Sequence, residues 1–137
     1  MAVNVTNDTT NQVGRYFYRM GKATGSNGLA VFLNISSDLN TTVGNTTYTA
    51  TKITRVVMVT LGDEGEWLLR FDADSDTNLA ILKGTFGADL DVDFRSNHQG
   101  GLVDPKTTGY TGDIMIQEAT ASGSLEVWVY IEGELIP

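Results

Sequence analysis

Alternation with a period of two constrains this chain more than any other feature of it. DLDVDF at 89–94 sets Leu90, Val92 and Phe94 against Asp89, Asp91 and Asp93. EWLLRFD at 66–72 sets Trp67, Leu69 and Phe71 against Glu66, Leu68, Arg70 and Asp72. LEVWVYIEG at 125–133 sets Leu125, Val127, Val129 and Ile131 against Glu126, Trp128, Tyr130 and Glu132. Successive side chains of a strand point to opposite faces, so each run predicts a strand with one covered face. No stretch of ten residues carries helical periodicity. RYFYRM at 15–20, LAVFLNI at 29–35, KITRVVMVTL at 52–61, LAILKG at 79–84 and DIMIQEA at 113–119 complete eight or nine short strands separated by Gly, Asn and Asp turns. Such a series predicts an all-β antiparallel β-sandwich or jelly roll.

The connections carry their own expectations. Half of residues 1–12 are Thr or Asn, and only Val3 and Val5 offer apolar contact, so they read as a flexible N-terminal arm ahead of a single domain at 13–137. GKATGSNG at 21–28 reads as a turn, and residues 36–51 read as a Ser/Thr/Asn connection with a weak edge strand. GDEG at 62–65 predicts a hairpin between the strands on either side. ASGS at 121–124 predicts the last turn. The longest connection lies within residues 94–116, whose Gly100-Gly101 and Asp104-Pro105 pairs are turn formers. Leu102, Val103 and Tyr110 give it apolar pins. Loops of this length in a compact domain are usually functional or disordered, and these turn residues and pins predict an ordered one.

With 137 residues the chain can bury a real core. It has no cysteine, which excludes disulfides and thiolate metal sites. No apolar run approaches a membrane span, and the N-terminus lacks the features of a signal peptide. The net charge of −8 argues against sequence-independent nucleic-acid binding, which needs a basic footprint. Residues 1–60 carry five bases and two acids, whereas residues 61–137 carry four bases and fifteen acids. That asymmetry means either a molecule with two electrostatic ends or, if strands of both halves interleave, an ordinary acidic surface.

Little in the chain suggests chemistry. The single histidine, His98, sits in the long loop with no nucleophile elbow or ligand spacing nearby. Asp72-Ala-Asp74-Ser-Asp76 opens like a calcium loop, but Thr77 and Lys83 stand where such a loop needs Gly and Glu. We therefore expect no enzyme, no cofactor and no metal. The three aspartates of 89–93 must face solvent or a cation, because burying them unpaired is costly. Trp128 and Tyr130 project opposite the aliphatic row of their strand, so either the strand is covered on both faces within one subunit or they are candidate interface residues, together with Leu102, Val103, Tyr110, Val3 and Val5.

Several of these segments resemble a group of short structural proteins of tailed phages. The likeness covers about residues 52–131: a Trp-bearing strand running into an Asp-rich turn (EWLLRFDADSD), then GGLVDPK, then Thr-Gly-Asp-Ile and a final alternating strand. It implies a virion component, and within that class a capsid decoration or cement protein. Such a protein would bind the major capsid protein or other virion proteins on the outside of the head and act as a homo-oligomer, with no nucleic-acid or membrane partner. The motif residues are turn formers, so no catalytic role follows. A tail or neck component and a glycan-binding β-sandwich are the alternatives.

Overall fold

The computed structural model describes residues 3–84, 87–120 and 125–137. Strand outweighs helix by 60% to 3%, and the molecule is an antiparallel β-sandwich. One sheet runs in the order β1 (Asn4–Val13), β2 (Tyr16–Thr24), β12 (Glu126–Ile136), β6 (Ala50–Thr60). The far edge of β6 is shared by β9 (Asp89–Asp93), against Arg55–Val59, and β10 (Leu102–Val103), against Lys52–Ile53. The second sheet is β3 (Gly28–Leu33), β11 (Ile114–Glu118), β7 (Gly65–Phe71), β8 (Thr77–Gly84). A four-residue helix α1 (Ile35–Asp38) and a short hairpin of β4 (Thr42–Val43) and β5 (Thr46–Thr47) occupy the connection at 34–49. Asn34 caps α1 by accepting from the N–H groups of Ser36 and Ser37.

The alternation places the core. Val127, Val129 and Ile131 of β12 meet Trp67, Leu69 and Phe71 of β7, Ile114 and Ile116 of β11, and Phe32 and Leu33 of β3 in one buried cluster. Gly21 and Ala23 sit inward on β2; a Cβ on Gly21 would lie 3.4 Å from the Phe32 ring. Small residues there make room for a large one from the opposite sheet, which is why β2 continues through GKAT instead of turning.

Two connections differ from expectation. The strands flanking GDEG form no hairpin. Both edges of β6 are already occupied, by β12 on one side and by β9 and β10 on the other, so the chain crosses at 61–64 into the opposite sheet, where β7 pairs with β8 and β11. The polar N-terminus is no free arm either: from Asn4 it is the edge strand β1. The buried Arg19 holds it there. Arg19 donates to the Thr10 hydroxyl at 2.6 Å, to Asp8 at 3.0 Å and to the Phe32 carbonyl of the opposite sheet at 2.7 Å. A desolvated guanidinium needs such partners, and β1 supplies two of them. Val3 is buried and Val5 packs against the core, so both serve the interior rather than an arm. The turn expected at 121–124 lies outside the described residues.

Glu118 stitches three connections together. It is fully buried, points inward opposite Trp67, and accepts from the N–H groups of Asn27 (2.9 Å), Glu66 (3.0 Å) and Thr120 (2.9 Å) and from the Thr120 hydroxyl (2.7 Å). Burial pushes its pKa up, but these donors outweigh burial and hold it below the ordinary 4.5. Its stabilisation is therefore complete above pH 4.5 and is lost as pH falls through the folded value. Glu118→Gln turns an amide toward donors, and it should cost about 1–3 kcal/mol at neutral pH by urea unfolding. The gap between variant and parent should narrow below pH 4.5; a gap that stays constant with pH would mean that the charge of Glu118 does not stabilise the fold.

Candidate interaction surface

Strand register, which sequence alone does not give, decides which residues neighbour Trp128 and Tyr130. On β12, Trp128 lies between Lys22 and Val59, Tyr130 between Met20 and Val57, and Glu132 between Tyr18 and Arg55. Beyond β6, the same rows reach Asp89, Asp91 and Asp93 of β9. On the other side they reach Thr6, Thr9 and Asn11 of β1. The outer face of this sheet thus carries a continuous strip of Tyr16, Tyr18, Met20, Trp128, Tyr130, Val57 and Val59. Trp128 remains 38% and Met20 37% exposed. Trp128 projects outward as the alternation predicts.

The strip is partly pre-ordered. The Tyr18 and Tyr130 rings lie 5.8 Å apart with a 31° tilt. The Tyr130 hydroxyl donates to Glu132 at 2.8 Å, and burial with this carboxylate pushes its pKa up to about 12. Two of the three aspartates of β9 find cations within the chain. Arg55 forms a two-point contact with Asp91 at 3.1 and 2.9 Å, and Arg95 holds Asp93 so firmly that its pKa falls to about 2. Lys22 lies 3.5 Å from Glu126. At one end of the strip, Val13, Tyr16, Tyr18, Asn11, Arg95 and Glu132 line an open groove of about 570 Å³.

Leu102, Val103 and Tyr110 stand apart from this strip. The loop that carries them is shaped by its own contacts and closes one end of the sandwich. Asn97 accepts from the N–H groups of Gln99 and Gly101 and donates to the Gly101 carbonyl. Leu102 and Val103 form β10 against Ile53 and Lys52, with Leu102 against the core. The Tyr110 hydroxyl meets that of Thr49 at 3.2 Å. Gly112, at φ +85°, lies so close that a Cβ would stand 2.3 Å from the Thr49 carbonyl oxygen. Asp104 is buried, and desolvation raises its pKa. The other pins therefore close the subunit, as Val3 and Val5 do.

The acidic turn at 72–76 is folded onto the same loop. Asp72 accepts from the Thr111 hydroxyl at 2.7 Å and Asp76 from the Ala73 N–H at 3.0 Å. Among the described residues, no three His, Cys, Asp or Glu side chains gather as a metal site would require. His98 is exposed. No protein-family model matches the chain, and no curated protein matches it in sequence.

The two faces of β12 should respond differently to truncation. Ile131→Ala removes a side chain that is 0% exposed and should cost about 2–5 kcal/mol. Trp128→Ala, trimming a partly exposed residue, should cost about 1 kcal/mol and keep a cooperative transition. Urea unfolding of both variants checks this; outright unfolding of the Trp128 variant would place that side chain in the core.

Proposed function

We propose that this protein is a structural component of a tailed-phage virion, a capsid decoration or cement protein that binds the outside of the assembled head through the outer face around Trp128. The observation that carries this reading is the strip of aromatic and aliphatic side chains that β2, β12 and β6 place on the outer face. Large apolar patches on soluble proteins usually mark contact sites. Tyr, Trp, Met and Arg are the residues enriched where such contacts are made. The resemblance of residues 52–131 to phage structural proteins supports the same class. The mechanism is additive: each copy covers part of a repeating lattice, and many weak contacts sum through multivalency.

The groove beside Tyr16 and Tyr18 favours a second reading, a glycan-binding module. It combines two aromatic rings with an amide (Asn11), a guanidinium (Arg95) and a carboxylate (Glu132), groups that can stack on and hydrogen-bond a sugar.

Co-sedimentation with heads that lack this protein separates the readings. The parent should bind and saturate. A large aromatic buries about 150–250 Å² at most, so covering the exposed share of Trp128 contributes about 2 kcal/mol. Trp128→Ala should therefore weaken binding roughly thirtyfold. Binding to tails but not heads would move the protein within the virion. Binding to oligosaccharides that is lost in Tyr18→Ala, with no binding to particles, would replace the first reading with the second.

A further inference from the structure

We propose that the opposite face of the sandwich, the outer face of the β3-β11-β7-β8 sheet, is a self-association surface whose occupant is a second copy of this chain. The register builds two rows across that face: Leu29–Gln117–Leu68–Ile81 and Val31–Met115–Arg70–Asn78. An antiparallel sheet that faces water normally carries polar residues outward. Here five of the eight outward residues are apolar, and Leu29, Val31 and Ile81 are 49%, 40% and 50% exposed. The sheet is apolar on both sides, as a layer between two other layers would be. The guanidinium within the rows is tied down in the plane, donating to Gln117 at 2.8 Å and to the Asp76 carbonyl at 3.2 Å.

Charge selects the occupant. The chain carries −8, so copies repel unless they meet where that charge is absent. The Trp128 face opposes this: its outward strand residues include six acids (Asp89, Asp91, Asp93, Glu126, Glu132, Glu134) against three bases (Lys22, Lys52, Arg55), and stacking two such faces sets like charges together. On the second face the outward charges of the strands are Glu66, Arg70 and Lys83, and Glu66 stands directly across from Lys83 in the ladder. Two copies can approach there without a like-charge penalty.

Area sets the strength. Four strands about 4.8 Å apart and five residues long at about 3.4 Å per residue give a footprint of roughly 300 Å². Two copies bury well under the roughly 1,600 Å² of a standard-size complex, so the dimer is weak and dependent on concentration. The inference is independent of the virion reading, because it concerns the free protein and the other face.

Sedimentation equilibrium of the full chain from about 10 µM to about 1 mM tests it, since a small interface falls in that affinity range. A reversible monomer–dimer equilibrium is expected, one that does not weaken as salt is raised. Ile81→Lys with Val31→Lys should raise the dimer dissociation constant at least tenfold, as should the milder Ile81→Thr with Val31→Thr, in proteins whose circular dichroism matches the parent. Trp128→Ala should leave the equilibrium unchanged. A monomer throughout the range, or a dimer lost with Trp128→Ala and kept in both double variants, overturns the proposal.

Discussion

The ladder between β6 and β12 is the contact on which the other elements depend. The two strands are each eleven residues long and form the centre of the larger sheet, with β2 on one side and β9 and β10 on the other. Their register shifts once, where Glu132 faces Arg55 and Gly133 faces Ile53. The extra residue, Thr54, resets the parity of β6, as a β-bulge does. Ile53 and Val56 then both reach the core, which strict alternation would forbid. Gly133 makes the close approach possible: a Cβ there would stand 2.7 Å from the Lys52 carbonyl oxygen. Beyond the bulge, the nearly buried carboxylate of Glu134 meets Lys52 at 2.5 Å and Arg15 at 3.6 Å.

Strand existence and facing were legible because alternation is a local property. Leu125, Val127, Val129 and Ile131 needed no partner to be read as an inward row. Pairing is not local, which is why the hairpin across GDEG failed. Nothing in those four residues tells a tight reversal within one sheet from a crossing between two. What settles the matter is that β12, β9 and β10 occupy both edges of β6, and those strands lie some thirty to seventy positions further along. Buried charge was invisible for a related reason. Arg19 reads as the polar half of RYFYRM, and Glu118 as the polar end of DIMIQEA, until the donors and acceptors that meet them are known.

The candidate surface divides along the same line. The outward projection of Trp128 and Tyr130 followed from one strand. Their neighbours Met20, Tyr18, Val57 and Val59 came from two other strands, and only the register joins them. The apolar outer row of the second sheet left a signal in the runs IMI and WLL, where alternation is interrupted. An interrupted pattern reads as a strand buried on both faces, and Leu68 and Met115 of these two central strands are buried; the exposed apolar residues of that face, Leu29, Val31 and Ile81, belong to the edge strands β3 and β8.

The uneven distribution of charge along the chain has a structural resolution. Bases of the first half do not form an end of their own, because β2 and β6 lie on either side of β12. Lys22 meets Glu126, Arg55 meets Asp91, and Arg15 and Lys52 meet Glu134, each pairing an early base with a late acid. The half-buried and exposed pairs among these add little stability one by one. Together they neutralise the sheet locally and leave the excess negative charge on turns and on the β9 side of the Trp128 face. What distinguishes the two outer faces is therefore not apolar content, which both have, but which of them a like-charged neighbour can approach. The acidic face disfavours a copy of this chain, and the near-neutral one admits it.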